Sequence, residues 1–142
     1  DNVRIDFETN GTITPCDELI HMNPRVTFTV SPKLTNNGDP FKKRFKEETL
    51  HWHVIRGSGF KFVVSTIGDI KEIFDNYIYN PNVVPHRERE WFKSCRVWFM
   101  PCCGSQKELL ERGTQVAEWC KEFGVKFSNR MHLQLWDKAT RV

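Results

Sequence analysis

The sequence lacks the features that define several large classes of protein. It contains no apolar run that approaches the length of a membrane span, and no segment with the composition of a signal peptide. Its 21 basic and 18 acidic residues leave a formal net charge of +3, which is too small to indicate a nucleic-acid partner. We therefore expect a cytoplasmic protein that binds neither membranes nor nucleic acid.

Cysteine is scarce and follows no recognisable pattern. The chain has five cysteines, an odd number, with neither the spacing of a disulfide framework nor a Cys-x-x-Cys pair. This usage is typical of reduced thiols in the cytoplasm, and it leaves the chain without a visible ligand set for an iron–sulfur cluster. Cys102 and Cys103 are adjacent, and we interpret them as loop thiols because neighbouring side chains point apart in most conformations.

Aromatic side chains, by contrast, are abundant. The 142 residues are 39% hydrophobic and 13% aromatic, with 11 phenylalanines and 5 tryptophans. This length is enough for one domain with a core, and large rings either fill such a core or form walls around a flat ligand. No internal repeat or low-complexity tract divides the chain, so we predict a single domain over residues 1–142.

Segments with the two-residue period of strands alternate with segments of helical period. The pattern predicts strands at 3–7, 26–30, 60–65 and 96–100, and a final strand region at 125–127 and 131–136. It predicts helices at 15–22, 41–49, 68–79 and 105–123. Because such alternation forms right-handed crossovers, we predict an α/β fold: a parallel sheet with flanking helices, its strands ordered as in the sequence and one face left uncovered. The continuously apolar segment 96–100 predicts a strand buried on both faces.

Two further patterns have an ordinary explanation beside a chemical one. His51 and His53 stand two residues apart in a segment that we interpret as extended, where both would point the same way and could share a metal ion. No further ligand stands beside them, and loop histidines are the simpler explanation. The basic residues of segment 41–49, among them Arg44, could bind phosphate, but nearby glutamates balance the charge and favour a solvated helix face.

Polar motifs follow the first two predicted strands. Residues 8–12 read Glu-Thr-Asn-Gly-Thr, and residues 31–33 read Ser-Pro-Lys. Ligands of α/β proteins bind just outside the carboxyl ends of the strands, which is where these motifs fall. An ordinary turn after a strand would explain either motif alone.

Further motifs follow in a definite order. They are Phe-Lys-Phe-Val-Val at 60–64 with an Ile-Gly-Asp helix start, Val-Trp-Phe-Met-Pro at 97–101 before a long helix, and Ser-Asn-Arg-Met-His-Leu-Gln-Leu-Trp at 128–136. This succession resembles the carboxyl-terminal portion of 7-carboxy-7-deazaguanine synthase, a radical S-adenosylmethionine enzyme. The similarity covers nearly the whole chain except 36–56 and 80–93, and the order of the motifs carries it.

The resemblance implies a fold, a reaction and cofactors. The fold would be the second half of a partial (β/α) barrel of the radical S-adenosylmethionine type. The family converts 6-carboxy-5,6,7,8-tetrahydropterin to 7-carboxy-7-deazaguanine with loss of ammonia, in 7-deazapurine (queuosine) biosynthesis. It uses S-adenosyl-L-methionine, a [4Fe-4S] cluster and Mg²⁺. We expect the full-length protein to be a homodimeric carbon–nitrogen lyase with a small-molecule pterin substrate.

The resemblance also assigns roles to individual residues. Those expected to line S-adenosylmethionine are Gly11, Ser31, Pro32 and Lys33. Those expected to contact the pterin substrate are Thr9, Arg130, His132 and the carboxyl-terminal Val142. It implies no catalytic residue and no metal ligand within this chain.

The chain departs from the family pattern in several places. It has no cysteine triad, no Gly-Gly-Glu-Pro-like stretch and no magnesium-binding threonine, which in the family precede the segment seen here. Cys102 and Cys103 follow Met-Pro where an acidic residue is usual, and the tail lacks the usual Arg-Gly. Because Asp1 leads straight into a strand, we expect an amino-terminal cluster-binding part before it, without which the chain is inactive. The alternative is a non-catalytic pterin- or nucleotide-binding α/β module.

Overall fold

The computed structural model describes residues 3–16, 18–19 and 26–138 of the chain. Within them lie five strands: β1 (Ile5–Thr9), β2 (Val26–Val30), β3 (Gly59–Val64), β4 (Val97–Pro101) and β5 (Lys126–Phe127). The strands form one sheet in the order β1-β2-β3-β4-β5, and every neighbouring pair is parallel. The predicted α/β fold, with a parallel sheet ordered as in the sequence, is therefore confirmed.

Helices occupy the described connections from β2 to β5, and one more helix follows β5. They are α1 (Phe41–Arg44), α2 (Glu47–Ile55), α3 (Ile67–Ile73), α4 (Arg89–Arg96), α5 (Gln106–Phe123) and α6 (Met131–Trp136), with a π-helical turn, Phe74–Ile78, continuing α3. None of the helices in the described ranges combines the length and the apolar composition needed to cross a membrane. Half of the helix predicted at 15–22, namely residues 17 and 20–22, falls outside the described residues.

Local sequence explains the ends of the two helices that follow β3 and β4. Thr66 precedes α3 and accepts a hydrogen bond from the Asp69 amide, while the Asp69 carboxylate accepts one from the Thr66 amide. This reciprocal pair satisfies two amides that a helix start leaves free. Ser105 accepts from the Glu108 amide at the start of α5, and Gly124 ends that helix in the left-handed conformation, as predicted.

The two faces of the sheet differ. Along β3, Phe60 and Phe62 are buried, whereas Lys61 between them is half-buried. The buried rings pack on helical elements, with the Phe62 ring 5.1 Å from the Tyr77 ring and the Phe60 ring 5.1 Å from the Phe92 ring. The ladder register puts a second set of side chains on the other face, which we call the open face: Asp6, Glu8, Thr27, Thr29, Lys61 and Trp98. All of them are exposed or half-buried.

Several predictions about local structure were wrong. Segment 131–136 is the helix α6 rather than a strand, so β5 is limited to Lys126–Phe127. The segment with His51 and His53 belongs to the helix α2, where residues two apart point in different directions. His51 Nδ1 lies 3.0 Å from the Val83 carbonyl, whereas His53 Nδ1 lies 3.1 Å from Ser58 Oγ, so the two rings do not form a metal site.

Two burial predictions also need correction. The strand β4 is not buried on both faces, because Val97 and Phe99 are fully buried while Trp98 and Met100 are half-buried. In α5, the helical period predicts an inward stripe of Leu109, Leu110, Val116, Ala117 and Cys120. Leu109, Val116 and Cys120 are buried and Ala117 is half-buried, but Leu110 is 74% exposed.

Candidate functional site

The parallel sheet brings the polar motifs to one edge. The carboxyl ends of all five strands lie on the same side, so the segments that follow β1 and β2 are neighbours there. We call this edge the rim, defined by residues 9–12, 31–33, 65–66, 101–103 and 128–130. Because exposed polar groups collect at such an edge in α/β proteins, it is the first place to look for a ligand site.

Hydrogen bonds join the two motifs at the rim. The Ser31 amide donates to the Thr9 carbonyl over 2.7 Å, which extends the β1–β2 ladder by one step. The Gly11 amide donates to Thr9 Oγ1 over 3.2 Å, so the Thr9 hydroxyl holds the turn in place. Gly11 and Ser31, which the resemblance assigns to the cofactor, are therefore brought together with Thr9, which it assigns to the pterin.

Gly11 has a structural reason to be glycine. Its φ is +74°, a left-handed conformation that L side chains rarely adopt. A Cβ atom there would lie 2.7 Å from Val30 Cγ1 and 3.0 Å from Leu50 Cδ2, both in the core. The space beside Gly11 is thus filled by the protein itself, and the glycine needs no ligand to explain it.

Lys33 sits at the rim with a fixed backbone and an exposed side chain. Its carbonyl accepts from Arg44 Nη1 over 3.1 Å and from the Tyr77 hydroxyl over 3.4 Å. Burial raises the pKa of Tyr77 to about 12, so that hydroxyl keeps its proton and remains a donor. Ser31 and Pro32 before Lys33 are buried, which leaves the lysine ammonium as the part of this motif that can reach a ligand.

At the end of β3, the polar groups of the rim form hydrogen bonds with the protein itself. The Asp69 carboxylate accepts from the Ser65 amide over 2.7 Å, from the Ser65 hydroxyl over 2.8 Å and from the Thr66 amide over 2.9 Å. Burial alone would raise the pKa of Asp69, but these hydrogen bonds outweigh it and hold the pKa below its usual value. This carboxylate caps α3 and is not available as a ligand.

The remaining predicted site residues are not brought to the first two strands. Arg130 and His132 follow β5, the opposite edge strand, about 19 Å from β1 at the usual strand spacing if the sheet were flat. His132 is exposed on the helix α6, not on the strand predicted at 131–136. Arg130 is half-buried, and within the described ranges its Nε atom has no hydrogen-bond partner. Val142 lies outside the described residues.

A polar network on the open face was not predicted. The Asp6 carboxylate accepts from Thr27 Oγ1 over 2.8 Å and from Thr29 Oγ1 over 2.9 Å, and Lys61 Nζ lies 2.6 Å from Glu8 Oε1. These groups come from β1, β2 and β3, so their contacts depend on the strand register. The sequence signal was the alternation of threonine with apolar residues in 26–30, which marks a strand with one polar face.

The described residues do not fit an iron–sulfur cluster. They contain no group of three or more His, Cys, Asp or Glu side chains placed to hold a metal ion. Burial raises the pKa of the Cys103 thiol, and it raises the pKa of the Cys120 thiol to about 11, so neither is an activated thiolate in the protein alone. Any cluster must take its ligands from elsewhere.

Comparison of the chain with protein-family models, with curated proteins and with solved structures gave no match. The assignment of a function therefore depends on the residues of the rim and of the open face.

His53, a histidine with a shifted pKa, lies on the helix-covered face of the sheet. It packs on Phe28, whose side chain points away from those of Thr27 and Thr29 on the open face. The His53 side chain is fully buried between the Phe28 and Trp52 rings, at centroid distances of 5.3 Å and 4.9 Å. Burial lowers the pKa of His53 to about 4, because the core does not solvate the imidazolium ion. In the described structure His53 Nε2 has no partner, while Nδ1 contacts Ser58 Oγ.

We expect this histidine to make stability depend on pH. The unfolded chain binds a proton at His53 near the ordinary histidine pKa of 6.5, whereas the folded chain does so only near 4, so stability is full above 6.5 and falls as the pH drops towards 4. Between about pH 7 and about pH 5, His53 should remove about 2 kcal/mol from the free energy of unfolding. Urea unfolding of the parent and of His53→Gln at both pH values measures the effect.

The control for this measurement is His132→Gln, which removes an exposed histidine and should keep the pH dependence of the parent. Above about pH 5 most carboxylates are ionised in both the folded and the unfolded chain, so they add little to the pH dependence of the free energy of unfolding. The contribution of His53 is therefore observed separately. If His53→Gln loses stability over this range as steeply as the parent does, His53 is not the titrating group.

Proposed function

We propose that this chain is the carboxyl-terminal half of a partial (β/α) barrel in a radical S-adenosylmethionine lyase similar to 7-carboxy-7-deazaguanine synthase. The observation that carries the proposal is the junction of the Glu-Thr-Asn-Gly-Thr and Ser-Pro-Lys motifs, where the Ser31 amide meets the Thr9 carbonyl at 2.7 Å. Gly11 and Ser31 are 20 positions apart in the sequence, yet the two motifs that contain them are adjacent at the rim. In open parallel sheets this edge binds the ligand.

The proposal gives the full-length protein a reaction. It would convert 6-carboxy-5,6,7,8-tetrahydropterin to 7-carboxy-7-deazaguanine with loss of ammonia, in the cytoplasm and as a homodimer. S-adenosyl-L-methionine at a [4Fe-4S] cluster supplies the radical in this enzyme class, and Mg²⁺ assists. Because the described residues offer no group of cluster ligands, the proposal requires the full-length protein to supply those ligands from another part of its chain.

Within this chain the rim residues would bind and orient. The exposed Lys33 ammonium suits the carboxylate of the methionine part of the cofactor, and the Arg44 and Tyr77 contacts to its carbonyl fix where the side chain starts. The Thr9 hydroxyl accepts from the Gly11 amide and keeps its own proton to donate to a pterin acceptor. Arg130 and His132 would approach the substrate from the β5 side, provided that the complete barrel curves far enough.

The proposal is tested with the full-length protein. After anaerobic reconstitution with iron and sulfide, it is incubated with S-adenosylmethionine and 6-carboxy-5,6,7,8-tetrahydropterin, and 7-carboxy-7-deazaguanine is measured by mass spectrometry. We expect product from the full-length protein and none from residues 1–142 alone. A full-length protein that holds no cluster, or that holds a reducible cluster and forms no product, would leave the non-catalytic binding module as the explanation.

Lys33→Ala tests the cofactor site separately from the reaction. In the reconstituted full-length protein it should weaken S-adenosylmethionine binding by about 1.5–3 kcal/mol, because a charge-assisted hydrogen bond of that size is lost. This corresponds to a dissociation constant raised about 10- to 150-fold, measured by calorimetric titration. Pterin binding and thermal stability should change little.

The matched control for this experiment is Lys42→Ala, which removes an exposed lysine from α1, away from the rim motif. It should leave cofactor affinity unchanged. Equal affinities for Lys33→Ala and the parent would make Lys33 an ordinary surface lysine and would remove one of the two motifs from the proposal.

A further inference from the structure

A cleft opens at the amino ends of β2 and β3, on the side of the sheet opposite the rim. The two strands pair only at Thr29–Gly59 and Val30–Phe60, so residues 26–28 separate from the chain that leads into β3. The gap continues onto the open face as a cavity of about 580 Å³. This volume lies within the range of small-molecule sites in proteins.

Two arginines line this cleft. Arg56 directly follows α2, and Arg96 is the last residue of α4. Each guanidinium lies over a tryptophan ring, Arg56 5.4 Å from the Trp52 centroid and Arg96 5.3 Å from the Trp91 centroid. In the described ranges neither has a carboxylate within ion-pair distance, although both line the cavity. Stacked guanidiniums keep their N–H groups free, and they bind phosphate in a fixed geometry.

Gly57 brings the arginines together. It stands next to Arg56 at a φ of +73°, and the position of its missing Cβ lies 3.5 Å from Arg96 Nη2. The guanidinium of Arg96 therefore packs directly on the turn that carries Arg56. A guanidinium in this turn and a second one packed on it suit a dianion, because each can donate two parallel hydrogen bonds to phosphate oxygens.

The rest of the cavity is suited to a ring with polar edges. The Trp98 indole forms one wall of the cavity. It packs so closely on Gly59 that a Cβ atom there would lie 2.9 Å from the ring, and Lys126 Nζ lies 4.6 Å from the ring centroid. Asp6 lies in the same cavity as an acceptor oriented by Thr27 and Thr29. An aromatic wall with an oriented carboxylate recognises a heterocycle that carries N–H donors.

We propose that this cleft binds a mononucleotide, with its phosphate on Arg56 and Arg96 and its base along the open face between Trp98 and Asp6. The two arginines suit the phosphate group of the ligand. The volume of the cavity and its aromatic wall suit a ligand that is larger than inorganic phosphate and carries a ring. The site lies mainly at the amino ends of the strands, and Ser128 is the one rim residue in its lining. None of the described residues that the resemblance assigns to the cofactor or to the pterin lines it. It is therefore independent of the proposed lyase function, and either can be wrong without the other.

Fluorescence titration tests the proposal, since Trp52 and Trp98 line the cavity and report its occupancy. The folded 142-residue chain, checked by circular dichroism, is titrated with adenosine 5′-monophosphate and uridine 5′-monophosphate, and in parallel with adenosine and with inorganic phosphate. We expect saturable binding of a mononucleotide, at least tenfold tighter than adenosine and than inorganic phosphate. Arg56→Gln and Arg96→Gln should each weaken it at least tenfold.

Arg87→Gln is the matched control, because Arg87 is an exposed arginine outside the cavity and should leave the affinity unchanged. Arg56 is exposed, so its substitution leaves the fold intact and decides the matter even if Arg96→Gln disturbs packing. The proposal is overturned if neither mononucleotide saturates, if inorganic phosphate binds as tightly as a mononucleotide, or if Arg56→Gln binds like the parent.

Discussion

Arg44→Ala is expected to lower the free energy of unfolding by about 3–5 kcal/mol, the usual cost of removing one partner from a buried ion pair. Arg44 is 5% exposed, and its guanidinium pairs with the Glu72 carboxylate, which is itself largely buried. Alanine would leave the Glu72 charge without a cation in a poorly solvated position, and this accounts for most of the loss.

Arg44 also organises the segment behind the rim. Besides Glu72 it donates to the Thr35 hydroxyl over 2.8 Å, to the Asp39 carbonyl over 3.2 Å and to the Lys33 carbonyl over 3.1 Å. These acceptors lie in the loop between β2 and α1, while Glu72 lies in α3. One side chain therefore connects the Ser-Pro-Lys motif to the helix layer, and its loss should loosen Lys33 as well as the fold.

The measurement is urea unfolding of Arg44→Ala, Glu72→Gln and the double variant, with Lys43→Ala as the control. Lys43 is the neighbour of Arg44 in α1 and makes an exposed pair with Asp39, so its loss should cost less than about 1 kcal/mol. A coupling energy between Arg44 and Glu72 well above the usual surface value identifies the buried pair. If Arg44→Ala costs no more than Lys43→Ala, the pair does not stabilise the fold.

The sheet was predictable because its signal is local. Val26–Val30 alternates apolar residues with threonines, and Gly59–Val64 is mostly apolar, which are both patterns of strands. Because a helical segment separates the predicted strands, each connection is expected to be a crossover between parallel strands. The long helix α5 was equally clear, since Ser105 and Gly124 mark its two ends.

The failures occur where the local pattern fits two structures. Residues 131–136 alternate apolar and polar side chains like a strand, yet they form the short helix α6, in which only Leu133 is buried. In so short a segment the period of a strand cannot be distinguished from that of a helix, and packing against α5 decides which structure forms. The burial of His53 was missed for a similar reason, since a histidine in a helix of mixed polarity gives no sign of being fully buried.

The candidate site was predictable only in part. The junction of Thr9 with Ser31 follows from parallel strands, because equivalent strand ends must meet. The role of Arg44 does not follow, since charge balance favoured a solvated helix face and the buried partner, Glu72, stands 28 residues further along the chain. The cleft with Arg56 and Arg96 depends on how β2 and β3 separate, a feature of register that composition and period do not contain.

Gly11→Ala should lower the free energy of unfolding by about 2–5 kcal/mol, the sum of two penalties. Holding an L side chain at a φ of +74° costs about 1–2 kcal/mol. Forcing a Cβ atom to within 2.7 Å of Val30 Cγ1 overpacks the core, which costs about 1–3 kcal/mol more. Urea unfolding of the 142-residue chain measures the total.

Gly38→Ala separates the two penalties and decides what Gly11 is for. Gly38 has a φ of +83° and nothing within 4 Å of its Cβ position, so alanine there should cost only the conformational part, about 1–2 kcal/mol. An excess loss at Gly11 is then the packing penalty against Val30 and Leu50. That result would mean that the core alone requires this glycine, and that the cofactor site must be judged on Lys33. Equal losses at the two positions would show that the core accommodates a methyl group, and would leave close approach of a ligand as a reason for glycine at position 11.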